Sequence, residues 1–196
     1  MPPKLSAGIL LYRVDTCSAG SAALEVFLVH PGGPFWKNKD AGSWSLPKGE
    51  YTEKENPLDA AKREFREETG FAPPDVDYVP LGELRQPGGK IVTAWTVKVD
   101  KAAWALEVDG VAPPFPASFA GRVGDTASGG DSETSFAAVP IHSNTFSMEW
   151  PPKSGRMQEF PEIDRAAWFP LATAREKILP GQAGFLDRLT ARIGFR

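Results

Sequence analysis

In the stretch REFREETG, three glutamates, Glu64, Glu67 and Glu68, stand at positions i, i+3 and i+4. At helical spacing these positions share one side, so three carboxylates crowd together. Like charges that close repel one another, and a solvated surface helix is the ordinary home for such a run. A divalent cation is the other solution, because it turns the repulsion into binding. Carboxylate oxygens completed by phosphate oxygens form a hard donor set that suits Mg²⁺ or Mn²⁺ better than zinc. The chemistry open to such a set is hydrolysis of a polyphosphate, with metal neutralising both sides and lowering the pKa of the attacking water. Phe65 faces the other way and ties the ligand face to a core.

The elements that must position these side chains are readable on either side. Asn56 is an N-cap, Pro57 suits N1, Asp59 falls at N3 and Gly70 at C′, which predicts a helix over 57–69. Leu58, Ala61 and Phe65 form its apolar face, with Ala60 beside it. Runs of β-formers predict strands over 8–14, 24–30, 78–84 and 91–99, with QPGGK as the turn between the last two. A long loop, PGGPFWKNKDAGSWSLPKGE, carries Phe35, Trp36 and Trp44 up to the helix. A short strand over 166–169 and helices over 173–179 and 184–193 follow a segment rich in small and polar residues. That segment, about 101–144, includes GDTASGGDSETS and reads as a flexible insertion, with Trp104 and Leu106 anchoring its start. The pattern suits the α/β class, a mixed sheet with helices on its faces.

The 196 residues are enough for one domain with a sizeable core, so 1–196 is read as a single domain. A net charge of -3 with 24% charged residues leaves no global footprint for nucleic acid or a membrane surface. The single cysteine, Cys17, excludes an internal disulfide framework and a cysteine-based zinc cluster, and favours a reducing, cytoplasmic setting. The opening apolar run is interrupted too soon by Arg13 to span a membrane and reads as a first strand. His30 and His142 are far apart in sequence, which makes a histidine metal site a poor expectation. No nucleophile-elbow pattern points to covalent catalysis. The insertion and the late helices are the segments open to dimerisation, and neither has a compelling interface pattern, so the oligomeric state stays open.

Counting back from the helix, Gly49 is followed by five residues, Glu55, seven residues and then Arg63-Glu64-Phe65-Arg66-Glu67-Glu68-Thr69-Gly70-Phe71. This resembles the Nudix box at all nine of its defined positions over residues 49–71. The looser resemblance, over about 5–100 and 145–193, implies the Nudix α/β/α sandwich, with a central mixed sheet and a catalytic loop-helix-loop. It further implies metal-dependent hydrolysis of a pyrophosphate bond in a nucleoside diphosphate-linked compound. By the same resemblance Glu67 and Glu68 ligate Mg²⁺ or Mn²⁺, Glu64 is a further ligand or base, and the Lys48 backbone carbonyl joins the metal shell. Arg63 would orient carboxylates, paired with Glu55. Relatives also recruit a base or ligand from a late loop, where Glu149, Glu159 and Glu162 are candidates and Glu159 in GRMQEFPE is preferred.

The expected partner is a small nucleotide or polyphosphate. Trp36 could stack a base, Lys37, Lys39, Lys48 or Lys90 could meet phosphates, and Trp44 is expected to pack in the core. WSLPKG resembles the segment ahead of the box in relatives that cleave dinucleoside polyphosphates or diphosphoinositol polyphosphates. The wider arrangement resembles a bacterial subgroup of predicted NTP pyrophosphohydrolases. A dinucleoside polyphosphate or a nucleoside triphosphate is therefore the first expectation for the substrate. Diphosphoinositol polyphosphates, RNA 5′ ends and a non-catalytic nucleotide sensor are the alternatives. An RNA track is not evident, because the lysines between Lys37 and Lys54 are scattered among Asp40, Glu50 and Glu53.

Overall fold

The computed structural model describes residues 3–16, 22–100, 138–139 and 141–195. Cys17, Trp104, Leu106 and most of the expected insertion lie outside the described residues. The main sheet runs β4(Val79–Arg85), β5(Ile91–Lys98), β1(Leu5–Thr16), β2(Ala22–Pro31), β9(Ile163–Pro170), β6(Ala138–Val139). A short strand, β3(Lys48–Tyr51), pairs with the start of β1 off this path. β1 and β5 are parallel and the other pairs antiparallel, so the sheet is mixed.

Alternation along the central strands supplies two buried faces. Ala7, Ile9 and Leu11 of β1, with Phe27 and Val29 of β2, pack beneath helix α1(Pro57–Thr69) through Ala60, Ala61 and Phe65. Leu10, Val26 and Leu28 face the other way, against α2(Leu171–Lys177) and α3(Ala183–Ile193) through Ala174, Phe185, Leu186 and Leu189. Helices on both faces of a mixed sheet make the α/β/α sandwich expected from the sequence.

Helix α1 has the boundaries its caps predict. The Asn56 side chain accepts from the N–H groups of Leu58 (2.9 Å) and Asp59 (3.4 Å), and Gly70 closes the helix in the left-handed region at φ 77°. One expectation is corrected. The helix expected over 173–179 is Leu171–Lys177, because Ile178 turns extended to bridge Trp44, and the Leu179 N–H donates to the Trp44 carbonyl at 2.7 Å. Residues 145–161 form an antiparallel hairpin, β7(Thr145–Glu149) with β8(Met157–Pro161). Its first strand alternates, with Phe146 and Met148 half-buried between exposed Thr145, Ser147 and Glu149, while β8 is exposed except at Phe160. Among the described residues, no helix is long and apolar enough to cross a membrane.

Candidate active site

Burial of Ala60, Ala61 and Phe65 under the sheet turns Glu64, Glu67 and Glu68 to the flank of α1 that meets β3. Glu68 is only 8% exposed and accepts a 2.7 Å hydrogen bond from the Lys48 backbone N–H. Burial pushes its carboxyl up to about 7; the charge and N–H of Lys48 oppose this, and the nearby Glu64 and Glu162 add to it. Burial also raises Glu64, against the pull of Arg63. Gly49 lies so close that an added Cβ would stand 1.7 Å from Glu64 Oε2. The box glycine is therefore the space that the Glu64 carboxylate occupies, and the Ser6 hydroxyl holds that backbone by donating to the Gly49 carbonyl at 2.7 Å.

Arg63 organises the outer side of this cluster. Its Nε and Nη2 fork onto the two oxygens of Glu55 at 3.1 and 3.2 Å, while Nη1 donates to Glu64 Oε1 at 2.6 Å and Glu67 Oε2 at 3.1 Å. The Glu55 hydrogen bonds, followed by those of Glu64, raise the guanidinium pKa still further.

These carboxylates open onto a cleft of about 480 Å³, which Trp36, Glu50, Asn144, Phe146 and Glu162 also line. Glu162 reaches it because the base of the hairpin is tied to its surroundings by backbone bonds. The Glu162 N–H donates to the Asn144 carbonyl at 2.8 Å, its carbonyl accepts from the Gly32 N–H at 2.8 Å, and the Asn144 N–H donates to the Glu67 carbonyl at 3.2 Å. Glu159, preferred from sequence, sits in mid-β8 opposite Ser147, exposed and outside the cleft wall. Glu149 instead accepts from the Gly155 N–H at 2.6 Å within the hairpin. The choice among these three depended on which one the hairpin base turns inward, a contact with no local sequence signal.

Of the expected substrate contacts, Trp36 lines the cleft. Lys48 meets the site through its backbone N–H, which donates to Glu68. The Lys90 ammonium donates to Glu50 Oε1 at 3.2 Å, shared with Lys4, and so lies at the rim. Lys37 is exposed and not part of the wall. Trp44 is buried, its Nε1–H donating to Asp40 Oδ1 at 2.8 Å. Asn144 and Phe146 were not singled out, since their place depends on the hairpin.

Among the described residues, no three acidic, histidine or cysteine side chains converge into a ready-made cation cage. Arg63 instead takes oxygens of both Glu64 and Glu67. The donor chemistry nonetheless fits a hard dication: Glu64, Glu67, Glu68 and Glu162 offer only oxygen, and burial holds two of them, Glu64 and Glu68, above the usual carboxylate range.

Fold and site together define an α/β/α sandwich whose loop-helix-loop presents carboxylates to a cleft. A family model described as NUDIX domain matches residues 2–109, more than half of the chain, and the protein belongs to the Nudix family. Solved structures of similar fold include a mutT/nudix family protein from Listeria innocua, with 19% identity and a TM-score of 0.56, covering 99% of this chain and 96% of that one. An Ap4A hydrolase binary complex from C. elegans has 18% identity and a TM-score of 0.54, with 96% and 98% covered. The NUDIX domain of Shewanella oneidensis NrtR complexed with ADP ribose has 15% identity and a TM-score of 0.53, with 98% and 90% covered. No curated protein matches the sequence.

Proposed function

We propose that the protein hydrolyses a pyrophosphate bond in a nucleoside diphosphate-linked compound, either a dinucleoside polyphosphate or a nucleoside triphosphate, in the presence of Mg²⁺ or Mn²⁺. The observation that carries this reading is the meeting of Glu64, Glu67, Glu68 and Glu162 in one cleft beside an aromatic wall residue, Trp36. Residues that would hold the cation are Glu64, Glu67, Glu68 and the Lys48 carbonyl; bound there, it would supply charge neutralisation and acidify water.

The chain's own groups do the rest. Arg63 keeps Glu64 and Glu67 in register by its shared Nη1. Glu162 approaches from outside α1 and takes the late-carboxylate role, in place of Glu159, as acceptor of the proton from water. The P–O bond formed by water replaces the anhydride P–O bond, and the leaving phosphate carries off its electron pair. Trp36 and Phe146 offer flat apolar surface to the nucleoside.

The cleft wall also weighs between substrate classes. Among the described residues that line it there is no lysine or arginine. A heavily phosphorylated inositol or an RNA track would call for several such side chains. The C. elegans relative is an Ap4A hydrolase and the Shewanella domain is complexed with ADP ribose. Those likenesses are of fold, so the substrate argument rests on the cleft.

The test is release of phosphate or nucleoside monophosphate from dinucleoside polyphosphates, nucleoside triphosphates, nucleotide sugars, NADH and diphosphoinositol polyphosphates, with either metal, for wild type and Glu67→Gln. Metal-dependent turnover of the first two classes, lowered at least about 10²-fold in the variant, is expected. Equal nucleotide binding by both proteins with no turnover of any compound would replace hydrolysis by sensing.

A further inference from the structure

His30 is fully buried, yet it lies outside the carboxylate cluster and no step above uses it. It stands at the end of β2, and its two ring nitrogens are held on different segments. Nε2–H donates to the Lys39 carbonyl at 2.9 Å, and Nδ1 lies 2.7 Å from Asp164 Oδ1 on β9. Arg165 Nη2 lies 3.0 Å from both ring nitrogens and reaches the same carbonyl at 3.5 Å. The next residue, Asp40, accepts from the Trp44 Nε1–H at 2.8 Å and pairs with Lys177. Trp44 packs edge-on against His30, with ring centroids 5.2 Å apart. Residues 39 and 40 are thus fastened to the core, although the turn around them is exposed.

Lys39 also contacts Trp36. The Lys39 N–H donates to the Trp36 carbonyl at 2.8 Å, and the Lys39 ammonium sits 4.6 Å from the centre of the Trp36 ring. At the other end, the Trp36 N–H donates to the Gly33 carbonyl at 3.2 Å. Lys39 therefore grips Trp36 by main chain and by one ring face, while His30 grips Lys39.

We infer that His30 is a positioning residue for Trp36, and that Lys39, by covering one face of the indole, makes Trp36 a one-sided platform for a single nucleobase. This rests on the nucleotide reading given above. A platform ordered before binding spares the substrate the cost of immobilising it. The clamp thus acts on affinity for the base-bearing part and not on the reacting phosphorus.

The test uses the full chain with His30→Phe, Lys39→Met and Trp36→Ala. Lys39 is exposed, so its variant keeps the proposal falsifiable if the buried substitution disturbs folding. With a dinucleoside polyphosphate, each variant is expected to raise KM about two- to tenfold with kcat within about twofold of wild type. Combining His30→Phe with Trp36→Ala should add nothing to Trp36→Ala alone. A parallel readout needs no turnover: the Trp36 indole N–H resonance of the ligand-free protein, identified by its loss in Trp36→Ala, should shift or broaden in His30→Phe and Lys39→Met. If Trp36→Ala raises KM while both other variants match wild type in KM and resonance, the clamp is overturned. If wild type turns over nothing, the hydrolytic reading fails, and the resonance alone then upholds or overturns the clamp.

Discussion

Replacing Gly49 by alanine should abolish most activity while leaving the protein folded. The added Cβ would lie 1.7 Å from Glu64 Oε2 and 1.9 Å from its Cδ. The carboxylate must therefore retreat by roughly 1.5 Å to reach an ordinary contact. Backbone strain does not enter, because Gly49 is not among the glycines with positive φ. The obstruction is the far end of a side chain, which can rotate away; the fold loses little more than the 2.6 Å bond from Arg63 Nη1 to Glu64 Oε1. With Arg63 39% exposed, that bond contributes about 1 kcal/mol or less. Alanine offsets part of this by stiffening the unfolded chain, by about 0.4–1 kcal/mol. Stability should thus change by less than about 1 kcal/mol, whereas misplacing a group by this much costs about 10²-fold in rate. The assay is kcat/KM with Mg²⁺ beside a urea denaturation curve. Wild-type activity in Gly49→Ala would refute the reasoning. So would a large loss of stability, which would mean that the backbone and not Glu64 had given way.

Gly8→Ala should behave in the opposite way. Its Cβ would meet the Pro47 carbonyl oxygen at 2.4 Å and Lys48 Cβ at 2.6 Å, backbone-anchored atoms that cannot turn aside, so a loss of about 3 kcal/mol is expected as a lower urea midpoint; an unchanged midpoint would count against it. Glu68 makes stability of the metal-free protein depend on pH. Its carboxyl is raised from 4.5 to about 7, so its contribution is fully present below about 4.5 and is lost as pH rises through 7, by up to about 3 kcal/mol. Denaturation in a chelator at about pH 5 and about pH 8 should show a smaller decline for Glu68→Gln than for wild type, and equal declines would refute the assignment. Among the late carboxylates, Glu162→Gln should lower kcat by about 10²-fold while Glu159→Gln stays within about twofold; steady-state kinetics giving the reverse order would restore Glu159.

The sequence by itself determined helix α1 and the carboxylate face it presents, because caps and the i, i+3, i+4 spacing are local. Asn56, Pro57 and Gly70 mark the ends wherever the helix is placed, and Phe65 between the glutamates tells which side is buried. Alternation likewise made β1, β2 and β5 legible, since each strand has to satisfy the same two faces along its own length. Tertiary structure decided the rest. β3 has only four residues and no apolar run, and it is a strand because β1 offers it a partner. Ile178 leaves its helix for a bridge to Trp44, a residue more than a hundred positions away. Glu162 rather than Glu159 faces the cleft because Gly32 and Asn144 bind its backbone. His30 reads as a strand end in sequence and becomes an anchor only where Asp164 and Lys39 meet it. Each of these depends on hydrogen bonds between segments far apart in the chain, and a pattern read along neighbouring residues carries no record of which distant partner will arrive.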